Sequence, residues 1–249
     1  MFPWKTCVFW TAITTAAVFL ICSAVRYNLA AVSALTAPAP LTILLDAGHG
    51  GEDGGTVSAD GTRESDLNLS VVLRLEQLLA LCGLDTELIR RTDASVYTEG
   101  GTVSERKASD LKQRVRLVQE TPNPILISIH QNHFPEPKYR GAQVFYAASP
   151  KSEALANLTQ SALRGALDSG NKRQSKPADS VYLLSKVQCP AILVECGFLS
   201  NPAESALLQT EAYQIKLACA IGCGLAQFLE EEVEEVEIKS HFLLHSLRQ

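Results

Sequence analysis

Residues 42–55 read TILLDAGHGGEDGG, and the fold follows from how this stretch is built. Four apolar positions, TILL, run straight into Asp46 and a glycine-rich loop with His49 inside it. A strand without polar alternation is one covered on both faces. Two more stretches share that character: residues 125–129 (ILISI), between Pro124 and His130, and residues 191–194 (AILV), between Pro190 and Glu195. Such strands belong to parallel sheets with helices on each side. Residues 67–81 (LNLSVVLRLEQLLAL) have helical periodicity and stop at Gly83. Residues 104–119 repeat apolar groups at Ala108, Leu111, Val115 and Val118, again at helical spacing. Residues 152–167, 202–208 and 212–229 complete the helices, residues 85–89 and 142–147 two further strands, and residues 171–179 a polar, basic loop. The expected fold class is α/β, a largely parallel central sheet flanked by helices on both faces, forming a single domain over residues 41–230.

Outside that domain, residues 6–25 carry no charge between Lys5 and Arg26. About 20 apolar residues suffice to span a bilayer, so residues 1–26 are expected to be an uncleaved membrane anchor, with a cleaved signal as the second reading. Cys22 follows the bulky Ile21, which does not suit lipidation. Residues 27–40 (YNLAAVSALTAPAP) read as a tether. Residues 231–249 form an acidic tail, expected as a solvated helix extension or a disordered end. The chain has 249 residues, 46% of them hydrophobic, enough for a sizeable core. A net charge of -5 with scattered basic residues points away from nucleic acid. Seven cysteines without a CxxC pair suggest neither a disulfide framework nor a cysteine-built zinc site. Cys219 and Cys223, four apart in a helical stretch, read as small core residues.

In a parallel α/β sheet, functional groups gather beyond the carboxyl ends of the strands. Here those ends deliver Asp46 and His49, then His130, then Glu195, with Arg63 and Glu64 just before the first helix. Two imidazoles and one carboxylate make a His₂Glu zinc site that leaves the fourth tetrahedral position open. A further carboxylate that binds no metal completes the minimum for metal-assisted hydrolysis. Each residue also has a plainer reading. His49 could be a loop residue, Glu64 a charge suited to a helix N-terminus, and His130 a hydrogen-bonded core histidine. Glu195 resists dismissal, because a carboxylate ending a buried strand needs a partner or a task. The convergence of four such residues outweighs any one. The glycines lack both the Walker lysine and the GxGxxG pattern, which argues against a phosphate loop. His133 competes with His130 but follows into a proline-rich loop (FPEPKYR), where it is less constrained. Cys196 as a nucleophile would need an imidazole base, and both histidines are better used on metal. Asp46 is a candidate for holding the His49 tautomer, and Asn132, Asn171 and Arg173 for touching glycan or peptide.

Four motifs, DAGHGGEDGG (46–55), RESDLNL (63–69), SIHQN (128–132) and VECGFLSNP (194–202), together resemble the zinc-dependent N-acetylmuramoyl-L-alanine amidases of the type 3 class. The resemblance covers residues 42–229. It implies zinc held by His49, Glu64 and His130, with Glu195 as catalytic acid/base, in a catalytic domain spanning 41–230. It implies peptidoglycan as substrate, cut between N-acetylmuramic acid and L-alanine, and a position at the outer side of the bacterial cytoplasmic membrane or in the wall. One short N-terminal apolar segment, no added wall-binding repeats, SERKASDLKQRV (104–115) and Cys196 look like the spore-germination subgroup, which acts on the cortex. Ala47 departs from the proline common in the first motif. An activating protein partner is left open, and so are two rival readings: a zinc peptidase cutting within the stem, and a non-catalytic wall-binding module.

Overall fold

The computed structural model describes residues 40–246, with side chains to residue 234. The expected anchor and nearly all of the tether lie outside the described residues. The folded unit begins at Leu41. Its elements run β1 (Thr42–Ala47), α1 (Glu64–Leu81), β2 (Thr86–Leu88), α2 (Val103–Glu120), β3 (Pro124–Asn132), β4 (Gln143–Tyr146), α3 (Pro150–Leu167), β5 (Lys176–Pro177), α4 (Tyr182–Lys186), β6 (Ala191–Phe198), α5 (Pro202–Leu208) and α6 (Glu211–Ser246).

The six strands form one sheet in the order β2-β1-β3-β6-β4-β5. The β1, β2, β3 and β6 strands are mutually parallel, and β4 runs antiparallel to β6. Side chains alternate across the sheet. Ile43, Leu45, Ile127, Ile129, Ile192 and Val194 point to one face, where they pack with Leu75 of α1, Leu155 of α3 and Ile221 of α6. Leu44, Leu126 and Leu193 point to the other, against Val115 and Val118 of α2 and Leu183 and Leu184 of α4. The three apolar strands are therefore covered on both sides, as their unbroken hydrophobicity requires.

Several elements differ from expectation for clear reasons. The first helix starts at Glu64, three residues early, because Glu64 and Asp66 suit the positive end of the helix dipole. In α2, Leu111 is 40% exposed and Ala108 is also outside the core; the inward groups are Ser109, Arg114, Val115 and Val118. A capping box between Thr102 and Glu105 secures that helix start instead. Cys219 and Cys223 are exposed and unbridged, not core residues. The buried stripe of α6 runs instead through Leu217, Ala218, Ala220, Ile221, Leu225 and Phe228. The α6 helix continues unbroken to Ser246, through most of the acidic stretch. Residues Glu211–Glu234 are long and apolar enough to cross a bilayer, but half of their most apolar window is buried in the protein, as in a core helix.

Candidate active site

The site lies at the carboxyl ends of β1, β3 and β6, with Glu64 added from the start of α1. Its base is Asp46, the last but one residue of β1. Asp46 accepts a hydrogen bond from the Ser128 hydroxyl of β3 (2.6 Å) and forms a buried ion pair with Arg114 of α2. Burial alone would raise its pKa, but Arg114 and Ser128 outweigh that and hold the carboxyl below its ordinary value.

Above Asp46 the chain turns through Gly48 and His49, the latter in the left-handed region at φ 63°. Two guanidiniums hold this turn. Arg90 donates to the carbonyls of Ala47 (2.8 Å), Gly48 (3.0 Å) and Ser65 (2.8 Å), and Arg114 to those of Ala47 (3.0 Å) and His49 (2.6 Å). A side chain at Gly48 would collide with the His130 imidazole, so glycine is what lets His130 approach.

His49, Glu64 and His130 come together here, with potential ligand atoms all within 4.8 Å of one another. Glu64 Oε1 lies 3.3 Å from His49 Nε2 and 3.0 Å from His130 Nδ1. Ligand atoms around a tetrahedral zinc, each about 2.0–2.2 Å from the metal, would stand about 3.3–3.6 Å apart. The donor set and its spacing thus fit a zinc-sized dication. Glu64 is fixed by the amides of Gln131 (3.1 Å, to Oε1) and Thr56 (2.9 Å, to Oε2). Burial would raise its pKa, but the two imidazoles pull it well below the usual carboxylate range.

The partner of His49 is not Asp46. His49 Nδ1 meets Asp53 Oδ2 at 2.8 Å, and the other Asp53 oxygen pairs with Lys107 at 2.8 Å. Asp46 points away because Arg114 and Ser128 take its oxygens. Burial lowers the His49 pKa, yet Asp53 and Glu64 more than compensate and raise it to about 9. Asp53 is itself depressed, first by His49 and then by Lys107. The clue was available in the sequence: a carboxylate four residues after His49, inside the same glycine-rich motif.

Glu195 stands opposite His130 in the β3–β6 ladder. Its Oε2 is buried without a hydrogen-bond partner, and burial, only partly opposed by His130, pushes its pKa up to about 7. Just beyond, the ladder slips: His130 pairs with Glu195 but Asn132 with Phe198, so β6 bulges at Cys196 and Gly197. Glu204 closes the bulge by accepting from the amides of Phe198 (2.7 Å) and Gly141 (2.9 Å).

The remaining candidates separate. His133 is exposed on its loop and takes no part in the cluster. Cys196 is fully buried, and burial drives its thiol far up in pKa, which suits packing and not nucleophilic attack. Asn171 is buried and supports the fold, donating to Ala142 O (2.8 Å) and accepting from the Arg173 amide (3.0 Å).

An imidazole–carboxylate cluster beside an enclosed acid, at the carboxyl edge of a parallel sheet, defines a hydrolytic enzyme of the α/β class. Comparison narrows this: residues 43–227 match the family model for N-acetylmuramoyl-L-alanine amidase, and the chain belongs to that family. It is 38% identical over 197 residues to the germination-specific N-acetylmuramoyl-L-alanine amidase of Bacillus subtilis, covering 78% of this chain and 82% of that one. The CwlD amidase of Clostridioides difficile, solved in complex with the GerS lipoprotein, superposes with a TM-score of 0.74 at 40% identity, over 76% of this chain and 98% of that one. AmiA of Escherichia coli is 25% identical over 230 residues, 75% of each chain. The chain is accordingly an N-acetylmuramoyl-L-alanine amidase, a hydrolase of peptidoglycan.

Proposed function

We propose that His49, Glu64 and His130 hold a zinc ion and that Glu195 moves the proton in the amidase reaction. The observation that carries this reading is the buried, unpartnered Oε2 of Glu195 beside a cluster whose spacing suits zinc. When bound, zinc supplies a Lewis acid that acidifies water and draws charge from a carbonyl oxygen. The protein's own groups do the rest. Glu195 Oε2 accepts a proton from the attacking water as its oxygen bonds to the lactyl carbonyl carbon. As the carbon–nitrogen bond breaks, Glu195 returns that proton to the departing alanine nitrogen. Burial lifts the carboxyl to about 7 in the metal-free site, and a bound dication would draw it down towards the carboxylate that the first half of this task needs. Asp53 keeps the His49 ring oriented through Nδ1.

On this reading the enzyme works outside the cytoplasmic membrane, held there by residues 1–26, and matures the spore cortex in preparation for germination. The B. subtilis germination-specific relative supports the cortex role. The lipoprotein-bound C. difficile structure supports a protein partner, whose role on this reading is to activate the enzyme. The test is mass spectrometry of peptidoglycan digested by the purified protein with and without a chelator. Intact stem peptides with a free alanine amino terminus, released only without chelator and restored by added zinc, are expected. Release of single amino acids, or product that ignores the chelator, would overturn the reading.

A further inference from the structure

Arg173 lies in the loop between α3 and β5 and reaches back to the site. Its guanidinium rests over the Phe198 ring, 4.6 Å from the centroid. Nε donates to Arg140 O (2.9 Å) and Nη1 to Gln143 Oε1 (3.1 Å). Those partners set its position relative to the chemistry. Gln143 faces Glu195 directly in the antiparallel β4–β6 pairing, and Phe198 faces Asn132, two residues past His130. With β6 between β3 and β4 in the sheet, the Gln143 that holds Arg173 flanks Glu195 on the side away from His130.

Every group that holds Arg173 is neutral. Among the described residues, no carboxylate lies within ion-pair distance of it and Nη2 meets no acceptor. The acids nearby are engaged elsewhere: Asp168 with Arg140 (2.6 Å), and Glu204 with the amides of Phe198 and Gly141. Fixing a long side chain by one stack and two hydrogen bonds costs rotamer freedom, and here it leaves the charge without an ion-pair partner, opposed only through space by Glu204, and a planar donor edge unused. Such an edge matches a carboxylate. An anionic stem reaching past Glu195, away from the metal cluster, also gains from a counter-charge, and Arg173 is anchored on that side.

We propose that Arg173 is a specificity residue that binds a carboxylate of the peptide stem, on the side of Glu195 away from the metal cluster. This rests on the amidase reading. It predicts preference for stems with free carboxyl groups over stems whose carboxyls are amidated. The test is binding, by titration calorimetry, of a muramoyl tetrapeptide and of the same compound with every carboxyl amidated, to zinc-loaded wild type, R173Q and R173K. Wild type should bind the free acid about tenfold more tightly, the low end for a charge-assisted hydrogen bond at a part-exposed site. R173Q should bind both compounds alike, and R173K should keep part of the preference. Equal binding of both compounds by wild type, or an undiminished preference in R173Q, would overturn the proposal. Thermal melts of the variants, with R173K as the milder change, separate misfolding from lost recognition. Cleavage by wild type, followed in parallel, reports on the amidase reading alone: a preference that tracks Arg173 without amide cleavage would sink that reading and leave carboxylate recognition standing.

Discussion

Glu195 stands directly opposite His130 where β6 pairs with β3, and its Oε2 is enclosed with no hydrogen-bond partner. A carboxylate in that position works against folding. Burial raises its pKa from 4.5 to about 7, so between those values the folded domain binds more protons than the unfolded chain. The contribution of this group to stability therefore falls as pH rises through that window.

Glu195→Gln should consequently separate activity from stability. In metal-free protein it should raise the melting temperature at pH 8 by about 2–8 °C, taking about 2–4 °C per kcal/mol for a domain of this size, with little change at pH 4. Turnover should drop about 10²–10⁴-fold, while zinc still binds one per chain by elemental analysis. Near-normal turnover would remove Glu195 from the proton-transfer role.

Asp53 touches the cluster only through His49, yet Asp53→Asn should weaken zinc binding about 10–100-fold, since a carboxylate on the far nitrogen raises imidazole basicity and fixes the ring. Competition with a chromophoric chelator measures this directly. Asp46→Asn should alter zinc affinity much less than it alters stability, because Asp46 engages Arg114 and Ser128. Equal losses of affinity in the two variants would mean that the orientation of His49 does not depend on Asp53.

Arg114→Met removes the cation that bridges Asp46 and Asp110 in a site nearly inaccessible to solvent, leaving the Asp46 charge without its ion-pair partner. The expected cost is about 3–5 kcal/mol. The sign with pH follows from the depressed Asp46 pKa: the pair's stabilisation is present above the unfolded value near 3.8 and is lost as pH falls through the folded one. The urea midpoint of the variant should thus lie well below wild type at pH 7 and converge with it towards pH 3. A gap that stays constant across that range would point to lost packing alone.

The sheet and the gathering of the four candidate residues were legible because they rest on local signals. Unbroken apolar strands can only be buried on both faces, and polar groups at their carboxyl ends must then meet above the sheet. The supporting network was not legible, because it depends on which of several charges a distant helix delivers. Arg114 sits among the charged residues of a helix whose sequence marks Ala108, Leu111, Val115 and Val118 as the inward face. Only the register of α2 against β1 shows that this one points inward to Asp46 while Leu111 points out. Asp46 and Asp53 posed the same problem, as both flank His49 in sequence and only the turn at φ 63° decides between them. The short strand β5 and helix α4 gave little periodic signal, having two and five residues.

Gly48→Ala should test whether the approach of His130 to the cluster depends on one absent methyl group. The backbone at Gly48 is not in the left-handed region that favours glycine, so alanine is tolerated conformationally and the effect comes from collision with the His130 ring. Overpacking of this kind costs about 1–3 kcal/mol, a loss that a domain with an otherwise intact core should survive. The ring cannot shift towards Glu64 without closing the 3.0 Å contact, so it must swing away from the shared oxygen. Zinc affinity and turnover should then fall together while circular dichroism and the cooperative melt persist. A fully active, zinc-replete alanine variant would show that the turn relaxes around the added methyl. The rigidity attributed to Arg90 and Arg114 at the Ala47, Gly48 and His49 carbonyls would then be overstated.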